Sequence, residues 1–199
     1  GEYISFGTGE NNLYRIVSHE NGTGTKITSA IPLKNSGNYY ERMSFGSNVT
    51  FSKDNTIGTF LNGDYLTSGT YLTSDQVNMI EDNTTWYLGT VGEGANYKLA
   101  KYQDITGSNL TTSTTTAKIG LLRLGELMTE QFSKADNNTS YWTLTPYSTT
   151  DVRYVSNLGH SAGSAPGNSN GSRPSMNLKS TVKIVSGTGT KSSPFVISN

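Results

Sequence analysis

Short segments in which polar and apolar residues alternate constrain the fold of this chain more than any other feature. Near the N-terminus they cover residues 2–6, 13–18 and 26–31, and Asn21-Gly22 lies between the second and the third. Alternation with a period of two is typical of half-buried strands, and Asn-Gly suits the positive φ angles of a tight hairpin turn. We therefore predict a strand followed by a β-hairpin, with Pro32 ending its second strand.

The C-terminal third carries the same alternation in four further segments: residues 141–145, 152–156, 181–185 and 194–197. In the first of them we expect Trp142 and Leu144 to lie in the core, because successive strand residues point to opposite faces. The residues expected to face the other way are Tyr141, Thr143 and Thr145. Small polar residues fill positions 159–171, which predicts a long exposed loop of the kind that often carries function.

The middle of the chain has helical spacing instead. Apolar residues recur at that spacing from Ile57 to Tyr65, and Asp54 or Asn55 can cap the helix that they predict. A second helix is expected at residues 75–81 with Ser74 as its cap, and residues 123–128 are a third helical candidate.

A threonine-rich stretch, residues 92–116, precedes the third helical candidate. Because β-branched Thr resists helix, this stretch is predicted to be a loop or an edge strand. No internal repeat and no clear linker divide the sequence. Strands at both ends around a helical middle predict one α+β domain over residues 1–199, with two or three short helices and terminal strands that pair in a shared sheet.

The composition argues against several classes of function. Fifteen basic residues balance fifteen acidic ones without any basic run, so nucleic acid is not an expected partner. No apolar segment approaches the length that spans a bilayer, so membrane insertion by this domain is not expected either. The absence of cysteine excludes disulfides, thiolate metal sites and a cysteine nucleophile. Twelve Tyr, six Phe and two Trp supply large apolar surfaces, which favours a folded domain over disorder.

Several motifs in a fixed order carry a resemblance to a known family. They are residues 2–7 with 14–17, residues 60–62 with 71–72 and 79–80, residues 119–122 with 126–127, and then residues 141–146, 173–179, 187–190 and 194–197. In this order the chain resembles an uncharacterised domain of surface-anchored proteins and lipoproteins of Gram-positive bacteria, and the match covers essentially the whole chain. That domain is similar, in its Trp-containing strand and its Arg-Pro strand, to the C-type-lectin-like fold of formylglycine-generating-enzyme relatives and retroelement variable proteins.

The resemblance implies a single C-type-lectin-like domain with mixed, mostly antiparallel sheets and an exposed binding face of loops near the C-terminal part. It also implies an extracellular, cell-surface location, anchored to the cell wall or as a lipoprotein. The chain departs from two groups of relatives. It lacks the cysteines of the formylglycine-generating enzymes, and it lacks the Glu-Pro-Asn or Gln-Pro-Asp and Trp-Asn-Asp triplets of calcium-dependent lectins. No cofactor and no metal are therefore predicted.

Polar and aromatic side chains near the C-terminal loops are the candidate ligand-binding residues, because rings stack on ligands and polar groups hydrogen-bond to them. They are Tyr147, Asp151, Arg153, Tyr154, His160, Asn168, Asn170 and Arg173. Arg173 also has a structural interpretation, in which its donors tie loop carbonyls together. His19 and His160 are the only histidines, and neither belongs to a nucleophile-elbow pattern, so no catalytic residue is predicted.

Three functions are compatible with the sequence. Our prediction is a non-enzymatic, monomeric adhesin-like module that binds a glycan or a protein on a host or neighbouring cell. The alternatives are a structural spacer in a surface stalk and a polysaccharide hydrolase with paired carboxylates. Lys26, Lys183 and the many asparagines also permit a Lys–Asn isopeptide crosslink, although the sequence singles out no pair.

Overall fold

The computed structural model describes residues 1–20, 24–37, 39–92, 113–129 and 138–199. Strands make up 41% of the structure and helices 15%. Sheets therefore dominate and the few helices are short, which confirms the predicted class at the level of a small, β-rich α+β fold.

The strands in chain order are β1 (Tyr3–Ser5), β2 (Leu13–Glu20), β3 (Gly24–Ser29), β4 (Lys34–Ser36), β5 (Tyr39–Tyr40), β6 (Arg42–Ser44), β7 (Thr84–Tyr87), β8 (Thr114–Ala117), β9 (Gly120–Leu121), β10 (Tyr141–Pro146), β11 (Val152–Val155), β12 (Ser161–Ser164), β13 (Ser169–Gly171), β14 (Pro174–Leu178), β15 (Lys183–Ser186) and β16 (Val196–Ser198). The helices are α1 (Thr56–Asn62), α2 (Asp64–Thr67), α3 (Ser74–Asn78) and α4 (Leu124–Thr129).

The first large sheet has the strand order β1-β2-β3-β14-β9, and its neighbours are antiparallel. Ile16, Ile27 and Met176 lie side by side across β2, β3 and β14 and face the core. The predicted β2–β3 hairpin is confirmed, although its Asn21-Gly22 turn lies outside the described residues. The second strand of this hairpin, β3, ends at Ser29 and not at Ile31. The Ser29 hydroxyl donates a hydrogen bond to the Ile31 carbonyl, and this bond accompanies a turn of the chain.

The two ends of the chain meet at this sheet, as the sequence predicts. Ile4 forms a parallel bridge with Phe195. The amide of Phe195 donates to the Tyr3 carbonyl at 2.9 Å, and the amide of Ser5 donates to the Phe195 carbonyl at 2.8 Å. The last two strands, β15 and β16, form a separate antiparallel pair beside this contact.

The second large sheet has the order β12-β11-β10-β13-β6. Trp142 and Leu144 of β10 are buried in the core as predicted. Tyr141, Thr143 and Thr145 are predicted to face the other way, and that side of β10 is interior as well, because every residue of this strand is buried. The opposite face is covered by the segment around α4: Thr145 accepts a hydrogen bond from the Leu124 amide, and Tyr141 packs in a second apolar cluster with Leu127.

The prediction of one long exposed loop at residues 159–171 is also wrong. This segment contains β12, which pairs with β11, and β13, which lies between β10 and β6. Its small polar residues fit narrow positions in the sheet. A Cβ atom at Gly163, for example, would lie 2.5 Å from the Tyr147 ring.

The helices lie in the middle of the chain, as predicted, but the described residues contain four of them and not two or three, and α3 ends at Asn78 and not at residue 81. Asn55 is the N-cap of α1 and accepts a hydrogen bond from the Gly58 amide, but this helix stops at Asn62 and Tyr65 belongs to α2. The cap of α3 is Thr73 and not Ser74, because Thr73 and Gln76 form a reciprocal capping box. The third candidate is confirmed as α4.

The threonine-rich stretch is described only at its ends. Its last residues enter β8, which pairs with β7 in a two-stranded sheet, in agreement with the edge-strand alternative. Residues 93–112 lie outside the described residues. In the described part of the chain, no helix has both the length and the apolar character needed to cross a membrane.

Candidate functional site

A groove of about 520 Å³ lies where the β10–β11 turn meets the end of β7, the start of β8 and the chain before α1. Its apolar floor is formed by Leu88 and Pro146, which are buried, and Val49, which is half-buried. Hydroxyl-bearing residues form the rim: Thr50, Thr90, Ser113, Ser148 and Thr149. The volume falls within the range of about 300–1,000 Å³ that is usual for ligand sites.

Backbone hydrogen bonds fix the walls of this groove against each other. The Leu88 amide donates to the Ser113 carbonyl at 2.8 Å and so extends the β7–β8 pairing by one step. The Val91 amide donates to the Pro146 carbonyl at 2.9 Å and ties the segment after β7 to the end of β10. The groove is therefore a preformed feature of the sheet ends.

Asp151 organises the β10–β11 turn that forms one side of the groove. Its carboxylate accepts hydrogen bonds from the hydroxyls of Thr150 at 2.7 Å and Ser148 at 3.3 Å. The Ser148 hydroxyl in turn accepts from the backbone amides of Thr150 and Asp151, each at 3.1 Å. The sequence predicts Asp151 on the ligand face, and the structure places it beside the groove, with its carboxylate hydrogen-bonded within the turn.

Arg153 ties β11 to the segment after β7, which contributes Leu88 and Thr90 to the groove. Its guanidinium donates to the carbonyls of Val91 at 2.9 Å and Gly92 at 2.8 Å. The same group lies over the Tyr147 ring, 4.3 Å from its centroid. At that distance a guanidinium is attracted electrostatically to the face of the ring. The expectation that Arg153 belongs to an exposed face is wrong: its side chain is buried because it ties two segments of the chain together.

Tyr147 is half-exposed beside the groove and packs closely against Gly163 of β12. Asn168 lies near the same edge, since its side-chain amide donates to the Ser164 hydroxyl at 3.1 Å and Ser164 pairs with Val152. The structure therefore brings Tyr147, Asp151 and Arg153 together, with Asn168 nearby. Tyr154 is half-buried and packs against the core.

The remaining predicted site residues lie elsewhere. His160 is exposed at the opposite end of the β11–β12 hairpin, and its backbone amide donates to the Ser156 hydroxyl at 3.2 Å. Asn170 is buried, and its amide oxygen accepts from the Ser140 hydroxyl. A place for Asn170 on an exposed face is therefore a wrong expectation, because β13 carries this side chain into the protein.

The contacts of Arg173 fit its structural interpretation, in which the guanidinium ties segments of the chain together. Its guanidinium donates to the Ser29 carbonyl at 2.8 Å and to the Tyr141 hydroxyl at 3.2 Å. Burial raises the pKa of the Tyr141 hydroxyl, although the charge and the hydrogen bond of Arg173 oppose this rise. Arg173 thus links the end of β3 to the start of β10, away from the groove.

A group of buried charges lies over the outer face of the first sheet. The Glu126 carboxylate, 1% exposed, accepts from the Lys26 amine at 2.6 Å and from the Arg123 amide at 3.0 Å. The Lys26 amine also lies 5.1 Å from the Trp86 ring centroid. Burial alone raises the pKa of Glu126, but the charges of Lys26 and Arg123 with their hydrogen bonds lower it below its usual range.

This buried charge group is a structural connection between α4 and β3, because its charges are paired with each other. Across the described ranges, no cluster of three or more His, Asp or Glu side chains is arranged to hold a metal ion.

Most residues of the groove could not be predicted from the sequence. The rim residues Thr50, Thr90 and Thr149 are far apart in the chain and belong to a sequence that is rich in threonine throughout. The only signal in the sequence is the turn after residues 141–146, where Tyr147 and Asp151 are predicted to bind the ligand.

The chain matches no protein-family model, no curated protein and no solved structure.

Proposed function

We propose that this chain is a ligand-binding or adhesive module of a bacterial cell-surface protein and that the groove beside the β10–β11 turn is its binding site. The C-type-lectin-like architecture and the extracellular location are part of this proposal, and they rest on the order of motifs along the sequence. The observation that carries the binding role is the groove: an apolar floor under a rim of hydroxyls, with walls fixed by backbone hydrogen bonds.

This arrangement suits binding because a preformed site loses little conformational entropy when a ligand enters. Its lining combines apolar contact area with a few polar groups that fix orientation, which is the usual composition of a ligand site. The nearby charged groups stabilise the site: Asp151 is hydrogen-bonded within the turn, and Arg153 holds the walls together. The proposed activity is recognition without chemical conversion of the ligand.

A blocked-groove experiment tests this proposal. The immobilised chain is probed with panels of neutral glycans, acidic glycans and peptides, alongside the variant Thr149→Trp, which places a large ring at the exposed rim. The matched control is Thr70→Trp, because Thr70 is exposed in the turn between α2 and α3 and outside the groove. We expect at least one binder, with affinity at least about ten-fold lower for Thr149→Trp and unchanged for the control. Equal binding by the two variants, or no binder in any panel, contradicts the proposal.

A further inference from the structure

We infer that the ligand of the groove is a neutral, hydroxyl-rich glycan, and this inference rests on the proposed function. The first reason is the absence of formal charge from the lining. The described residues that line the groove are three apolar residues and five residues with hydroxyl groups. An acidic glycan or a phosphorylated ligand needs basic partners to replace its lost hydration, and none of the described lining residues supplies one.

Two charged side chains beside the groove, Asp151 and Arg153, are held by the protein itself. Asp151 accepts from the hydroxyls of Ser148 and Thr150. Arg153 is buried, and its guanidinium donates to the carbonyls of Val91 and Gly92. These contacts direct both charges to the protein's own turn and wall segments and leave the groove lined by hydroxyls.

The second reason is the hydrogen-bonding capacity of the rim. The hydroxyls of Thr50, Thr90 and Thr149 make no hydrogen bond within the described part of the chain, whereas Ser148 is fully engaged in the turn. A hydroxyl both donates and accepts. It therefore matches the hydroxyls of a sugar, which also do both, better than it matches a fixed ionic group.

The third reason is the floor. A pyranose ring has hydroxyls at its edge and C–H groups on its faces, so an apolar floor under a polar rim fits both parts of it. The side chains of Leu88 and Pro146 provide such a floor. An extended peptide, by contrast, gains most of its affinity from backbone pairing along a sheet edge, and the rim presents side-chain hydroxyls.

Isosteric removal of the rim hydroxyls tests the ligand class. Thr90→Val and Thr149→Val keep the shape of each side chain and remove its hydroxyl. With the neutral-glycan probe that binds best, we expect each variant to lower affinity about three- to ten-fold, as loss of one hydrogen bond does. Thr70→Val is the matched control and is expected to bind as the parent chain does.

The charge of the ligand is tested at the same rim position. Thr149→Lys and Thr149→Asp have opposite charges, so a neutral glycan should bind the two variants within a factor of about two of each other. Binding of the parent chain should also be insensitive to salt between about 0.05 and 0.5 M, because screening acts only on charged partners. A ligand that binds Thr149→Lys much more tightly than Thr149→Asp, or that is released by salt, overturns the inference.

The outcomes separate this inference from the proposed function. If Thr149→Trp does not reduce binding, the groove is not the site and both fail. If Thr149→Trp abolishes binding but the captured probe is an acidic glycan or a peptide, the proposed function stands and the neutral-glycan inference is wrong. Loss of affinity in both valine variants, with no preference between the lysine and aspartate variants, supports the inference.

Discussion

The starts of helices α1 and α3 and the outer face of the first sheet are fixed by interactions of very different range. The caps of α1 and α3 join residues three positions apart, Asn55 to Gly58 and Thr73 to Gln76. The ion pair between Lys26 and Glu126 joins residues 100 positions apart. The comparison shows that short-range caps fix where α1 and α3 begin, whereas the contact between α4 and β3 depends on a long-range ion pair that desolvates two charges.

The largest effect is expected where that long-range contact is cut. Glu126→Gln removes the carboxylate and leaves the largely buried Lys26 amine without its charge partner. We expect the free energy of unfolding to fall by about 3 kcal/mol, the lower end for a broken buried pair, because the lysine retains some contact with solvent. Denaturant unfolding measures this loss, and we expect the m value to be unchanged.

The control for this prediction is the exposed pair Lys53–Asp54, in which Asp54→Asn should leave stability within error. A double variant, Lys26→Met with Glu126→Leu, removes both charges together and should be more stable than Glu126→Gln alone. Equal losses for the single and the double variant would show that packing, and not the unpaired charge, causes the effect.

The Lys26–Glu126 ion pair also determines how acid changes the stability of the folded protein. Because Lys26 and Arg123 lower the pKa of folded Glu126 below its ordinary value of 4.5, the folded protein releases this proton more readily than the unfolded chain does. The stabilisation is therefore complete above the ordinary carboxyl pKa, and it is lost as the pH falls through the lowered pKa of folded Glu126. In Glu126→Gln this part of the acid sensitivity should disappear.

A smaller effect is expected at the contact between β12 and the groove wall. Gly163→Ala would place a Cβ atom 2.5 Å from the Tyr147 ring, so the ring must move away from its position beside Arg153. We expect a loss of about 1–2 kcal/mol from overpacking, measured by denaturant unfolding. Gly167→Ala is the matched control, since its added Cβ would meet nothing within 4 Å. Equal stability of the two variants would show that Tyr147 is free to rearrange.

The range of these interactions also decides what could be predicted from the sequence. The β2–β3 hairpin, the helix positions and the pairing of the terminal strands follow from periodicity and turn residues, which are local signals. The burial of Arg153 and Asn170 does not, because β11 and β13 become interior strands only when β12 and β6 pair beside them. From the sequence alone, a polar side chain in such a strand is predicted to be exposed.

The candidate site shows the same limit more sharply. Tyr147 and Asp151 could be identified because they adjoin a predicted strand, and they do lie beside the groove. Thr50 and Thr90 could not, since nothing in a threonine-rich chain distinguishes two residues that only the folded sheet ends bring to one rim. Where function depends on common residues placed by long-range contacts, the sequence predicts the neighbourhood of the site and the fold determines its lining.

The smallest effect separates the two possible caps of α3. Thr73→Ala removes the hydroxyl that accepts from the Gln76 amide and should cost about 1 kcal/mol. Ser74→Ala removes the residue that the sequence alone suggested as the cap, and it should change stability by no more than a few tenths of a kcal/mol, because Ser74 is already the first helical residue. If Ser74→Ala lowered the free energy of unfolding more than Thr73→Ala, the helix would have to start one residue later, and the capping box between Thr73 and Gln76 would be excluded. Because both changes act on the same short helix, their difference in unfolding free energy measures the cap alone.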